Sequence, residues 1–192
     1  MPPLSSPPGP QVDPAADERQ FVPPRAYRGA GSGAAVAYTA FCHSHWPVYQ
    51  RYAGAVTGCH AAGVELARAA LRELGVQWPT ALRSDVPSAL GWALLCAMTA
   101  PRRTVTLRTL LRNLCVREVD ALILRYKLGL TVRQAGYAMG MAPEVVEVLR
   151  RNALRKAAGL GRESHMPGSN AVRLRRCAPE HFLPPRRQDS SE

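Results

Sequence analysis

Arg117-Glu-Val-Asp-Ala-Leu-Ile-Leu-Arg-Tyr-Lys-Leu-Gly-Leu-Thr131, continued by Val132-Arg-Gln-Ala-Gly-Tyr-Ala-Met-Gly140 and Met141-Ala-Pro-Glu-Val-Val-Glu-Val-Leu-Arg-Arg151, is the stretch that decides the fold. Val119, Leu122, Ile123 and Tyr126 stand at i, i+3, i+4 and i+7, the spacing of one helical face. Gly129 follows where a helix ends and a positive φ costs a glycine little. Thr131 is placed to cap the next helix, and Pro143 suits the first position of the one after, beyond a tight turn at Gly140. A helix, a glycine, a short helix, a glycine turn and a longer helix with a basic end is the sequence form of a helix-turn-helix.

Upstream of it, Leu107, Leu110, Leu111 and Leu114 form another apolar stripe. The periodicity predicts helices near 36–56, 60–75, 86–99, 104–113, 117–128, 132–139 and 143–158, with no strand. Trp78-Pro79 and Asp85-Val-Pro87 punctuate a loop, and Pro101-Arg-Arg103 separates two helical groups. The expected architecture is all-α, with two small helical domains at 35–100 and 104–160. Residues 1–34 hold eight of the 17 prolines and the run Gly29-Ala-Gly-Ser-Gly33, a composition expected to be disordered. Residues 161–192, with Arg clusters at 173–176 and 186–187, read as a basic flexible tail.

Charge divides the chain in the same place. Residues 1–100 carry 7 basic and 6 acidic side chains, whereas 101–192 carry 18 and 8, so nearly all of the +11 net charge lies in the second half. A basic half attracts polyanions and gains free energy by releasing their counterions. Aromatic residues make up only 6% of the chain, which points to a core of Ala, Leu and Val. Five cysteines, an odd number, with no signal peptide ahead of them, suggest a cytoplasmic protein with reduced thiols. The longest weakly polar run, 89–100, is too short to span a bilayer. Cys42-His43-Ser-His45 and Cys59-His60 do not follow structural-zinc spacing, so no metal is expected. Nor is an enzyme or a cofactor, for there is no phosphate-binding glycine loop, nucleophile elbow or paired carboxylate site.

The stretch from Leu114 to Thr131 resembles the start of region 4 of bacterial sigma factors of the extracytoplasmic-function type. That family places an Arg-Glu-Arg and a Leu-Arg-Tyr before a Gly-Leu-Ser. Met139-Gly140-Met-Ala-Pro-Glu-Val-Val146 and Arg151-Asn-Ala-Leu-Arg-Lys156 are similar to the rest of that region. A weaker likeness to region 2, the polymerase-binding helices, lies in Phe41, Tyr49, Tyr52-Ala53, Thr57-Gly58 and Gly63-Val-Glu-Leu-Ala-Arg-Ala-Ala-Leu71. The resemblance implies a transcription protein of the nucleoid that binds promoter DNA and core RNA polymerase, and it allows an anti-sigma factor as a further partner. It assigns DNA contact to Thr131, Arg133, Pro143, Glu144, Glu147, Arg150, Arg151 and Arg155. The face expected to point outward carries Glu144, Glu147 and Arg151, with Val145, Val146 and Leu149 inward.

Two departures narrow that implication. Ala93-Leu-Leu-Cys-Ala-Met-Thr99 is apolar where the family melts the promoter with polar residues, and Glu147 and Leu149 stand where Lys or Arg is usual. The alternative is therefore a degenerate sigma-like adaptor, binding polymerase or a regulator by protein contact without reading DNA.

Overall fold

The computed structural model describes residues 32–163, which are helical with no strand among them. In chain order they form α1 (Ser32–Thr57), α2 (His60–Val76), α3 (Trp78–Arg83), α4 (Pro87–Thr99), a 3-10 turn (Ala100–Arg102), α5 (Val105–Leu110), α6 (Val116–Leu122), a π turn (Ile123–Lys127), α7 (Val132–Met139) and α8 (Pro143–Glu163). The predicted helices are all present. The loop expected at Trp78-Pro79 is instead the short helix α3: Pro79 sits in its first turn, where its missing N–H costs nothing. The buried Trp78 indole donates to Ala34 O at 3.0 Å. The segments 1–34 and 161–192 lie outside the described residues, except that α1 already includes residues 32–34 and α8 runs to Glu163.

The first four helices are assembled around α1. Tyr38, Cys42, Trp46, Tyr49, Tyr52 and Val56 repeat at three- and four-residue intervals along it and are all buried. Val64, Ala67, Leu71 and Leu74 of α2 meet them. The two helices touch at backbone distance, because a Cβ on Gly63 would stand 2.3 Å from Gly54 N. The expectation of a core built from Ala, Leu and Val needs correcting here. Aromatics are few but concentrated: all three Trp, together with Tyr38, Tyr49 and Tyr52, are buried. Trp92 of α4 packs its ring 4.5 Å from Tyr52 and 5.8 Å from Tyr49.

The second half follows the predicted order but not the predicted faces. α6 passes into the π turn, where the Leu128 N–H reaches back five residues to Ile123 O at 3.0 Å. One extra residue in a turn rotates the side chains that follow. Within the π turn Leu124 is fully buried and Tyr126 is 61% exposed, and Leu122, just ahead of it, is half-buried, whereas the 3.6-residue period put Leu122 and Tyr126 inward. Of the leucine stripe in and after α5, Leu114 is buried but Leu110 is exposed.

The two groups expected as separate small domains share one hydrophobic cluster, which runs from Tyr38 to Ala153. At its centre the fully buried carboxylate of Asp120 on α6 accepts from first-group donors. Tyr52 donates its hydroxyl to Oδ1 at 2.5 Å, and the Trp92 indole and the Cys96 thiol donate to Oδ2, each at 3.4 Å. Around it, Arg51 donates to Leu128 O and Lys127 to Ala55 O, closing the ends of α1 and the π turn on each other.

Candidate nucleic-acid interface

Local sequence builds the helix-turn-helix as expected. Thr131 Oγ1 accepts the Gln134 N–H, and Gln134 Oε1 accepts the Thr131 N–H at 2.8 Å, a reciprocal cap on α7. α7 ends at Gly140, whose φ of +64° is left-handed. The turn then folds back so tightly that the Met141 N–H bonds Gly136 O at 2.9 Å. A side chain at Gly136 would stand 2.7 Å from Met141 O, so this glycine is what lets α8 start directly against α7. Ala135, Ala138 and Met139 of α7 and Val146 and Ala153 of α8 are buried.

This unit does not stand free of the first helical group. At Gly140 a Cβ would lie 2.2 Å from Ala89 N at the start of α4. Tyr137 stacks on His45 of α1 with centroids 4.7 Å apart, and its hydroxyl donates to Ser44 Oγ. His45 is buried between this ring and Phe41, with Nδ1 3.0 Å from Phe41 O. Burial holds its pKa below the ordinary histidine value, against a partial lift from the Phe41 and Tyr137 carbonyls. The folded chain therefore takes up this proton less readily than the unfolded chain, where histidine titrates near ~6.5. The neutral ring's contribution is intact above that pH and is lost as pH falls below it. Denaturant midpoints taken from about pH 7.5 down to about pH 5 should fall, and His45→Phe, which keeps the stack, should flatten that fall. An unchanged slope in the variant would remove His45 as its cause.

The charged side chains of the second half divide into occupied and open groups. Glu118 is buried and accepts Lys156 on both oxygens, at 2.7 and 2.8 Å. Burial opposes its ionisation, but the bonds from Lys156 and from the Cys115 N–H prevail and hold its pKa below normal. Lys156 thus braces α8 to α6. Glu147 is not the outward-facing carboxylate expected from the sequence. Its side chain is 25% exposed and is clamped by Arg150 at 2.7 Å and Arg151 at 2.8 Å. Bonds from Arg150, then from Arg151, pull its pKa down to about 2. Arg150 also donates to the Tyr126 hydroxyl, so this cation has two partners within the fold. The outward face of α8 carries Glu144, Val148, Arg151 and Arg155 instead. Val145, expected inward, is 45% exposed.

Of the residues assigned to DNA contact, Thr131, Arg133, Glu144, Arg151 and Arg155 are exposed. Pro143 and Arg150 are half-covered. Arg133 stands in the first turn of α7, where the helix N-terminus favours an anion. Sequence reasoning missed Val148 as the outward residue, the clamp on Glu147 and the buried role of Asp120. The Glu147 clamp was the one with a sequence signal, since Glu147 has Arg150 and Arg151 at i+3 and i+4. Among the described residues no cluster of His, Cys, Asp or Glu could hold a metal, and no helix is long and apolar enough to cross a membrane. Comparison with protein-family models, with curated proteins and with solved structures yields no match.

Proposed function

We propose that this chain is a sigma-factor-like transcription protein that places α8 in the major groove of promoter DNA while its first helices engage RNA polymerase in the cytoplasm. The observation that carries the reading is the tightly capped pair α7–α8, whose outward side keeps Arg133, Arg151 and Arg155 in solvent. Cations so placed neutralise phosphates on either side of a groove and set register without specifying sequence. The charge excess of the second half supports the same partner. The apolar run Ala93–Thr99 supports recruitment rather than unaided promoter opening, since Leu95, Cys96 and Thr99 are turned into the fold.

The second reading, an adaptor that binds polymerase or a regulator without DNA, draws on a specific observation: Arg150, Arg151 and Lys156 already have carboxylate partners. One substitution separates the two. Glu147→Ala releases Arg150 and Arg151 and adds one net positive charge. On the DNA-binding reading, retention of the full-length chain on duplexes of any sequence should strengthen, and the salt slope should steepen by about one to two phosphate equivalents. Arg155→Ala should lower the slope by about one. On the adaptor reading neither change alters anything, and the chain co-purifies with core polymerase while failing to shift duplex DNA at low salt.

A further inference from the structure

We infer that α8 reads pyrimidines: thymine 5-methyl groups through Val145 and Val148, and a cytosine amino group through Glu144. The inference rests on the proposal that α8 lies in the major groove, and it names what such a helix would recognise there.

The first two turns are the part of such a helix that reaches base edges. Of the residues from Pro143 to Leu149, Val146 is fully buried, Pro143 and Leu149 are half-buried and Glu147 is held by two guanidinium groups. Three side chains remain open: Glu144, Val145 and Val148. None is an Arg or Lys, the residues that fork onto guanine O6 and N7, and none is an Asn or Gln, which pair with adenine. What remains is an acceptor and two branched apolar groups. In the major groove a carboxylate finds its complement in the cytosine N4 amino group, and an apolar side chain finds its complement in the thymine methyl.

Neither valine belongs to the hydrophobic cluster of the fold. They are 45% and 55% exposed, and β-branched residues are poorer helix formers than the straight-chain residues that usually fill a solvent face. They stand three residues apart, so they are neighbours on one side of the helix, within reach of consecutive base pairs. Glu144 lies in the first turn of α8, where the helix N-terminus stabilises a negative charge and offsets part of its repulsion from phosphates. Arg151 and Arg155 continue the same outward side for one and two further turns and supply the cationic flank that holds the apolar pair against DNA.

The test uses the full-length chain and duplexes selected from a random library. The selected site should contain thymines whose replacement by deoxyuridine, which lacks only the methyl, weakens binding by about fourfold per contacted methyl. Val148→Ala should bind thymine and deoxyuridine duplexes equally at that position, and Glu144→Gln should lose preference for a neighbouring C·G pair. Both substitutions fall on exposed helix positions and leave the core untouched. A selected site indifferent to every thymine-to-deoxyuridine change overturns the inference, as does retention of DNA with no sequence selected; in both cases α8 remains a DNA-attachment helix. Absence of DNA retention even at low salt overturns the inference and the groove-binding proposal together.

Discussion

Gly140→Ala should destabilise the fold by about 3–5 kcal/mol, whereas Gly129→Ala should cost only about 1–2 kcal/mol. Both glycines are left-handed, with φ of +64° and +71°, so the backbone strain introduced by an alanine is nearly the same at the two positions. They differ in what lies beyond. The new methyl at 129 meets nothing within 4 Å, whereas at 140 it falls 2.2 Å from Ala89 N and 2.6 Å from Ala89 Cα. Backbone cannot swing aside as a side chain can, so the turn and α4 must separate, at the further cost of overpacking. Thermal melts followed by far-UV circular dichroism should show Gly140→Ala lowered by several degrees more than Gly129→Ala. Equal losses would mean that the helix-turn-helix is not seated on α4 in solution.

Asp120→Ala should be about as damaging, at roughly 3–5 kcal/mol, for a different reason. The substitution removes one acceptor group and leaves the Tyr52 hydroxyl, the Trp92 indole N–H and the Cys96 thiol without it. An orphaned buried donor costs on the order of 1–3 kcal/mol, with a thiol at the low end. Tyr52→Phe on its own should cost less. In the Asp120→Ala background it should cost almost nothing, because the hydroxyl has no acceptor left to lose. Additive losses in that double-mutant cycle would show that Tyr52 and Asp120 are not partners. The pair also has a pH signature. Burial raises the Asp120 pKa, against the bonds from Tyr52, Cys96 and Trp92 that favour the charged form. Its contribution to stability is then fully present below the unfolded aspartate value near ~3.9 and declines as pH rises through the folded one.

Sequence reading was most successful where a backbone constraint has its own residue type. Gly129, Thr131, Gly140 and Pro143 each announce a local geometry, and each occupies it. It failed where position depends on partners far along the chain. Tyr126 was placed inward by a period that the π turn interrupts, and nothing in Ile123-Leu-Arg-Tyr-Lys127 distinguishes a π turn from an ordinary helical one. Val145 and Glu147 were exchanged in role for a related reason. The face of α8 is set by where Glu118 meets Lys156 and where Val146 and Ala153 are covered, contacts made by α6 and α7. Asp120 was the least legible: an acid between Val119 and Ala121 reads as surface until Tyr52, Trp92 and Cys96 are folded over it. The site was thus legible as a pair of helices with a basic end, and illegible in which of its side chains are free to act.

At Gly63, Gly91 and Gly140 the fold depends on atoms that are missing. A Cβ at those positions would intrude to 2.3 Å from Gly54, 2.7 Å from the Tyr49 hydroxyl and 2.2 Å from Ala89. Hydrophobic positions tolerate exchange among Leu, Ile, Val and Met where volume and pattern are kept, usually for less than about 1.5 kcal/mol each. A contact with no room for a carbon has no such synonyms. The pattern of Gly63, Gly91 and Gly140, read together with Tyr52, Trp92 and Asp120, is therefore the durable signature of this arrangement. Any chain adopting this arrangement must pass through the same three close approaches.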